Sequence, residues 1–203
     1  MVHEAIRKLC RDVRDLAYLY DEEVSRRNVY RKIADLLVAE AALAPTVALV
    51  THGHPLFLVS ASELIIDAAQ HAQLEVKVLP AISSFDTLLC DLKIDYGYGL
   101  QIFDSTTLLR NQWRPNPNIP VLLFQIANTL NDNVQRLEPR CNDLTPLVDW
   151  LSPFYPTDHS CVVIHSSSYL LERSNLLHVP LRRLDEAANL ELWKRPTLYI
   201  PPV

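Results

Sequence analysis

Glycine is scarce in this 203-residue chain: three residues (Gly53, Gly97 and Gly99) stand beside 14 prolines. Rossmann and P-loop sites cradle phosphates in turns built from glycines at fixed spacing, so both fingerprints are excluded. Positive charge is not in excess either. A net charge of −5 argues against a nucleic-acid partner, whose phosphates are gripped by clustered Lys and Arg. The one basic cluster, Arg182 and Arg183 with Arg173 upstream, is small. No apolar run reaches the roughly 18 residues of a membrane span, and His3, Glu4, Arg7 and Lys8 interrupt any signal-like start. The cysteines Cys10, Cys90, Cys141 and Cys161 are scattered without a CxxC pair, so reduced thiols and no metal site are expected. These absences leave a cytoplasmic globular protein, without a membrane or nucleic-acid partner, that acts on a peptide or a small molecule.

What is present is 49% hydrophobic and 21% charged sequence, patterned as alternating helices and strands. Apolar residues at Ile6, Leu9, Cys10, Val13, Leu16, Ala17 and Tyr20 share one helical face, so a helix is expected over 3–20. A second runs to about Ala42, with Tyr30, Ile33, Ala34, Leu37 and Ala41 as its inner stripe and Pro45 as its stop. Residues 46–51 form a short apolar run consistent with a buried parallel strand. Ser60 and Glu63 have capping-box spacing at the start of another helix. Residues 75–79 alternate like a strand, 84–92 read as a helix and 99–103 as a strand. Residues 111–118 (NQWRPNPN) have the composition of a linker. Beyond it, strands are expected at 120–127, 161–165, 177–181 and 197–200, with a helix around 144–151. The alternation predicts an α/β fold with a mainly parallel sheet, divided into domains 1–114 and 115–203.

Four local patterns occur in a fixed order. They are the turn Gly53-His54-Pro55-Leu56-Phe57, the loop Pro80-Ala81-Ile82-Ser83-Ser84, the run Asp91-Leu92-Lys93-Ile94-Asp95 followed by Gly99 and Gln101, and the ending from Thr197 to Pro202 (TLYIPP). Together they resemble the tetrapyrrole methylase superfamily, whose GHPxxF, PGIS, ADLGID and TLYIPP patterns they match. Within it the likeness is to the borosin-type branch that methylates peptide backbone amides. That branch carries Y-x5-R-x3-Y ahead of the GHP turn, which stands here as Tyr20, Arg26 and Tyr30. The resemblance implies two α/β domains with a cofactor cleft between them, S-adenosylmethionine as cofactor, and a homodimer. Two departures accompany it. The family's opening strand-loop-helix-strand unit, about 30 residues or more, has no counterpart, so an incomplete first domain is expected. Ala81 stands where the family has glycine.

For the cofactor, the resemblance implies Gly53, His54, Pro55, Leu56 and Phe57 in the turn and Ile82, Ser83 and Ser84 in the loop. Gln125 is implied from the strand that opens the second half, and Thr197 and Leu198 from the last strand. For the chemistry it implies Tyr20, Arg26 and Tyr30. An amide nitrogen is a poor nucleophile because its lone pair is delocalised into the carbonyl, so its proton must leave and its oxygen must be stabilised. A tyrosine beside an arginine can do both: the cation lowers the phenol pKa and donates to the oxygen. Arg26 and Tyr30 are four apart and share a helical face. Since Val203 ends the sequence, a peptide acceptor is expected in trans. Two other readings stand beside this one: a relative acting on a tetrapyrrole precursor, and a non-catalytic homologue serving as a binding or assembly module. His52 and His54 are read as parts of the turn and not as metal ligands.

Overall fold

The computed structural model describes residues 2–10, 12–20, 24–134, 142–167, 172–186 and 195–203. Its described helices are α1 (Val2–Leu9), α2 (Arg26–Ala41), α3 (Ser60–His71), α4 (Ser84–Leu92), α5 (Ser105–Arg110) and α6 (Thr145–Leu151). Its strands are β1 (Gln101–Asp104), β2 (Val121–Phe124), β3 (Ser160–His165), β4 (Asn175–Pro180) and β5 (Thr197–Ile200). The expected α/β class holds. The chain forms two compact units, one of Met1–Val50, Val59–Val78 and Asn133–Leu137, the other of Thr51–Leu58, Leu79–Asp132 and Glu138–Val203. These units follow other lines than a single cut at 114/115, because β1 and β2, on either side of it, pair in one sheet.

In the first unit α2 packs on α3. Val29 and Ile33 are buried with Val134, and Leu16, Leu19, Tyr20, Val24, Tyr30, Leu37 and Ile65 pack around them. The start of α2 is pinned: Val134 N–H donates to the Val24 carbonyl at 2.9 Å, and Ser25 bridges Asn133. The helix expected over 3–20 is shorter, because α1 stops at Leu9. The Asp15 carboxylate accepts the Ala17 N–H at 2.9 Å, a local bond that competes with helical pairing, and a single 3-10 turn (Ala17–Leu19) follows. Residues 46–51 and 75–79 are not strands. Neither pairs with a described strand, and a β-prone run without a ladder has no strand to belong to. Their side chains are largely exposed (Val50 62%, Leu79 66%). Nor does Ser60 cap α3: Val59 is the N-cap residue and makes no side-chain bond.

The second unit is built on a five-stranded sheet in the order β1-β2-β5-β3-β4. Only β1–β2 is parallel; β2–β5, β5–β3 and β3–β4 are antiparallel. The mainly parallel sheet expected from the sequence is therefore a mixed one, since alternation of helix and strand leaves the direction of later strands open. Side chains alternate between two faces as the strand period requires. Val121, Leu123, Cys161, Val163, Leu198 and Ile200 pack with Leu108 of α5 and Leu147 and Leu151 of α6. Leu122, Phe124, Val162, Ile164 and Tyr199 pack on the other face with Leu88 of α4.

The segment 111–118 is not a linker but part of this unit. Trp150 Nε1 donates to the Trp113 carbonyl at 3.1 Å, and Val203 N–H to the Pro117 carbonyl at 2.9 Å. Gln101 clamps the same loop, donating to the carbonyls of Asn116 (2.8 Å) and Ile119 (3.0 Å) and accepting the Asn116 N–H (2.8 Å). Gly99 has φ +114°, which only glycine adopts without strain, and a Cβ there would lie 3.5 Å from Ile119 Cγ2. Gly99 and Gln101 thus have a local structural task.

Candidate functional site

All four sequence patterns lie in the second unit. The turn comes first. Gly53 has φ +78°, and a Cβ there would meet only the Ile82 carbonyl oxygen, at 3.7 Å, so turn and loop are neighbours. The turn holds itself: His54 Nδ1 accepts the Leu56 N–H at 3.1 Å, and the His54 carbonyl accepts the Phe57 N–H at 3.1 Å. With Nδ1 accepting, the ring proton sits on Nε2. Pro55 lies between these bonds, and Phe57 anchors the turn to the fold. Its ring is 6.0 Å from Phe85 at the start of α4 and meets Phe124 edge-on at 5.1 Å at the end of β2.

The loop is fixed by the start of α4. Ser83 is the N-cap in a complete capping box. Its Oγ accepts the Phe85 N–H (3.2 Å) and donates to Asp86 Oδ2 (2.7 Å), and its own N–H donates to the same oxygen (2.6 Å). The Ser83 hydroxyl and N–H together hold the Asp86 carboxyl below its ordinary range. Ser83 is thereby committed to the helix, whereas Ser84 is exposed and Ile82, at 75% exposure, presents bare apolar surface beside Gly53. The third pattern buttresses the arrangement. Asp91 Oδ2 accepts the Ser166 hydroxyl at 2.6 Å, Lys93 ends α4 in a left-handed conformation, and Asp95 Oδ1 accepts the Gly97 N–H at 2.9 Å.

The fourth pattern supplies β5. The register Leu123↔Leu198 sets Thr197 beside the Phe124 end of β2, and alternation turns Thr197 to the face that carries Phe57 and Phe124. Leu198 faces the other way and is fully buried in the α5/α6-side core. It offers that site its place in the strand and not its side chain. Gln125 follows β2 directly, with φ +61°, and its Oε1 accepts Asn128 Nδ2 at 3.2 Å. Asn128 carried no signal in the sequence, because nothing there shows which residue follows a left-handed bend. His159 Nε2 lies 2.8 Å from the Pro201 carbonyl. Among the described residues no group of three or more His, Cys, Asp or Glu is arranged to hold a metal. Cys141 lies outside the described residues.

Tyr20, Arg26 and Tyr30 belong to the first unit. The rings of Tyr20 and Tyr30 meet edge-on with centroids 6.4 Å apart. Arg26 is the first residue of α2 and half-buried, as are both tyrosines. The lowered phenol pKa expected from an adjacent cation is not found at Tyr20. Burial pushes it up, and the neighbouring Tyr30 adds to the effect, because desolvation opposes the charged form.

Over residues 2–184 the chain matches the family Tetrapyrrole (Corrin/Porphyrin) Methylases. It belongs to that family. Among curated relatives, this family member is 28% identical over 194 residues to a methyltransferase/ribosomally synthesized type III borosin cyclic peptide precursor of Anomoporia bombycina. It is 27% identical over 196 residues to the methyltransferase/ribosomally synthesized cyclic peptide omphalotin A precursor of Omphalotus olearius. Both alignments take in 93% of the chain but only 22% and 46% of those relatives, so the chain spans less than half of their length. A solved uroporphyrin-III C-methyl transferase of Thermus thermophilus, complexed with S-adenyl homocysteine, shares the fold with a TM-score of 0.58. The identity is 13%, and the likeness covers 87% of this chain and 73% of that one.

Proposed function

We propose that this tetrapyrrole methylase family member is an S-adenosylmethionine-dependent methyltransferase that methylates backbone amide nitrogens of a peptide. The observation that carries the reading is the convergence of the 53–57 turn, the 82–84 loop and the end of β2 around one ring cluster. Family membership and the borosin names of the relatives support it. The donor set fits an amphipathic nucleoside with an amino-acid tail: a glycine turn open to backbone approach, exposed apolar Ile82 and Leu56, the Ser84 hydroxyl, and the Gln125 carboxamide. When bound, S-adenosylmethionine supplies an electrophilic sulfonium methyl. Gly53, Leu56, Ile82, Ser84, Gln125 and Thr197 would hold it, with His54, Pro55, Phe57 and Ser83 fixing the backbone that carries them.

In this proposal Tyr20, Arg26 and Tyr30 prepare the acceptor. Arg26 donates to the amide oxygen, stabilising the imidate that forms as the nitrogen loses its proton. Tyr20, held protonated by burial, serves as a hydrogen-bond donor, which leaves Tyr30 as the base. A cytoplasmic homodimer acting on a peptide completes the reading. No described helix is long and apolar enough to cross a membrane.

Two measurements test it. Calorimetric titration with S-adenosylhomocysteine is expected to show one site; absence of binding favours the non-catalytic binding module. Mass spectrometry of a co-expressed borosin-type core peptide is expected to show +14 Da steps on backbone amides, about the mass of one CH2 each. Arg26→Lys should abolish those steps with S-adenosylhomocysteine affinity nearly intact, since a lysine cannot reproduce the guanidinium fork. Unchanged turnover in R26K removes Arg26 from the chemistry.

A further inference from the structure

Gln125 is not a residue that adopts a left-handed backbone freely, yet it sits at φ +61° and ψ +26° immediately after β2. The bend is built from several sides. The Gln125 carbonyl accepts the Asn128 N–H at 2.8 Å, and Ser105 Oγ lies 3.2 Å from the same oxygen. Ser105 Oγ is also 2.8 Å from Thr129 Oγ1, which donates to the Ile126 carbonyl at 2.9 Å. Asn142 Nδ2 closes the turn, reaching the Thr129 carbonyl at 3.0 Å and that of Ile126 at 3.3 Å. A strained backbone held this firmly serves the side chain it aims.

That side chain has its amide orientation chosen for it. Asn128 Nδ2 donates to Gln125 Oε1 at 3.2 Å, so the oxygen faces Asn128 and the Nε2 hydrogens are left without a partner among the described residues. A free glutamine carboxamide presents donor and acceptor with near-equal ease; here one end is taken. We infer that Asn128 is a positioning residue, which locks the Gln125 carboxamide so that Nε2 presents a hydrogen-bond donor to an acceptor atom of the bound cofactor. The matching ligand atoms are a ring nitrogen or a carboxylate oxygen of the nucleoside amino acid. This rests on the cofactor reading given above.

Asn128→Asp is nearly isosteric and reverses the lock. A carboxylate at 128 cannot donate to Oε1; it accepts from Nε2, so the carboxamide turns over and offers its oxygen to the ligand instead. S-adenosylhomocysteine binding is measured by calorimetry at neutral pH for wild type, N128D, Q125A and the double variant. N128D is expected to bind about tenfold more weakly than wild type, the scale of one lost hydrogen bond plus one opposed acceptor. In the Q125A background N128D is expected to have no further effect, because a residue acting through Gln125 is silent once Gln125 is gone. Asn128→Ala removes the donor without adding charge and replaces N128D if the aspartate chain does not fold. Wild-type affinity in N128D overturns the inference, as does an equal loss in both backgrounds, which marks a purely structural residue. A wild-type chain that binds no S-adenosylhomocysteine overturns the cofactor reading itself, and the inference with it.

Discussion

Ser83→Ala separates the helix-capping role of this residue from any contact it makes with a ligand, and its consequences can be worked out from the geometry. The Ser83 side chain is buried and makes two bonds, accepting from Phe85 N–H and donating to Asp86 Oδ2. Alanine keeps the backbone bond from Ser83 N–H to Asp86 and loses both others. Replacing a serine N-cap by alanine costs about 1 kcal/mol, which in a chain of this size lowers Tm by roughly 2–4 °C. The effect should depend on pH in a definite direction. The Asp86 carboxyl is held low in the folded chain, chiefly by the Ser83 hydroxyl. A lowered carboxyl contributes stability that is complete above its unfolded pKa, about 3.9, and is lost as pH falls through the lower folded value. The hydroxyl-carboxylate part of the loss in S83A should therefore be present in full at pH 7 and be smaller at about pH 3, below the unfolded value. Thermal melts of wild type and S83A followed by circular dichroism at both pH values read the two gaps. A difference under about 1 °C at pH 7, well short of the expected range, or one that stays undiminished at pH 3, refutes the reasoning.

Two further outcomes follow from the same structure. Lys93 ends α4 at φ +54°, with its N–H on the Leu89 carbonyl at 3.0 Å, and its side chain is exposed. Lys93→Gly should raise stability by about 0.5–1 kcal/mol in a denaturant titration, because relief of the left-handed backbone exceeds the extra chain entropy of glycine; a loss of stability would contradict this. The Cys161 thiol is buried against the α5/α6-side core and pushed up to about 12 by that burial, whereas Cys10 and Cys90 are exposed. In a native alkylation time course at pH 8 read by peptide mass spectrometry, Cys10 and Cys90 should label quickly and Cys161 only after denaturation. Labelling of Cys161 at the rate of Cys10 would show that this core opens readily.

How far the sequence could be read depended on whether an element carries its own reason to form. α4, α6, β2, β3 and β5 do: each has a compact apolar pattern with a partner inside the same unit, and each lies within a few residues of its expected place. Residues 46–51 and 75–79 have the right side chains but no described partner strand, and pairing is a property of two segments, not one. Proline and asparagine in 111–118 marked turns correctly; the clamp from Gln101 that turns them into an integral loop is a long-range contact no local pattern encodes. α5 was missed although its signal was there, since Asp104 accepts the Thr107 N–H at 2.8 Å as an N-cap. At the candidate site the turn and loop were legible from the order of their patterns. The commitment of Ser83 to α4, the inward face of Leu198 and the raised phenol of Tyr20 were not, because each depends on what surrounds the residue.

The shortage of glycine sharpens this last distinction. Seven described non-glycine residues have positive φ: Leu58, Gln73, Lys93, Gln112, Gln125, Leu130 and Arg195. Three of them, Gln73, Lys93 and Gln112, sit at or just past the ends of α3, α4 and α5, where glycine is the common choice. There the side chain is incidental to the bend, and a glycine would serve the fold better. Gln125 is of another kind. It stands at the end of a central strand, its carbonyl and its carboxamide oxygen are both held by Asn128, and Phe124 beside it carries the ring of Phe57. A glycine at 125 would relieve the same backbone cost, about 1–2 kcal/mol, and discard a carboxamide donor that has no partner among the described residues. Strain that a smaller residue would remove, kept at a position where the side chain is oriented but not consumed, supports the proposed binding role of Gln125 over that of a helix end.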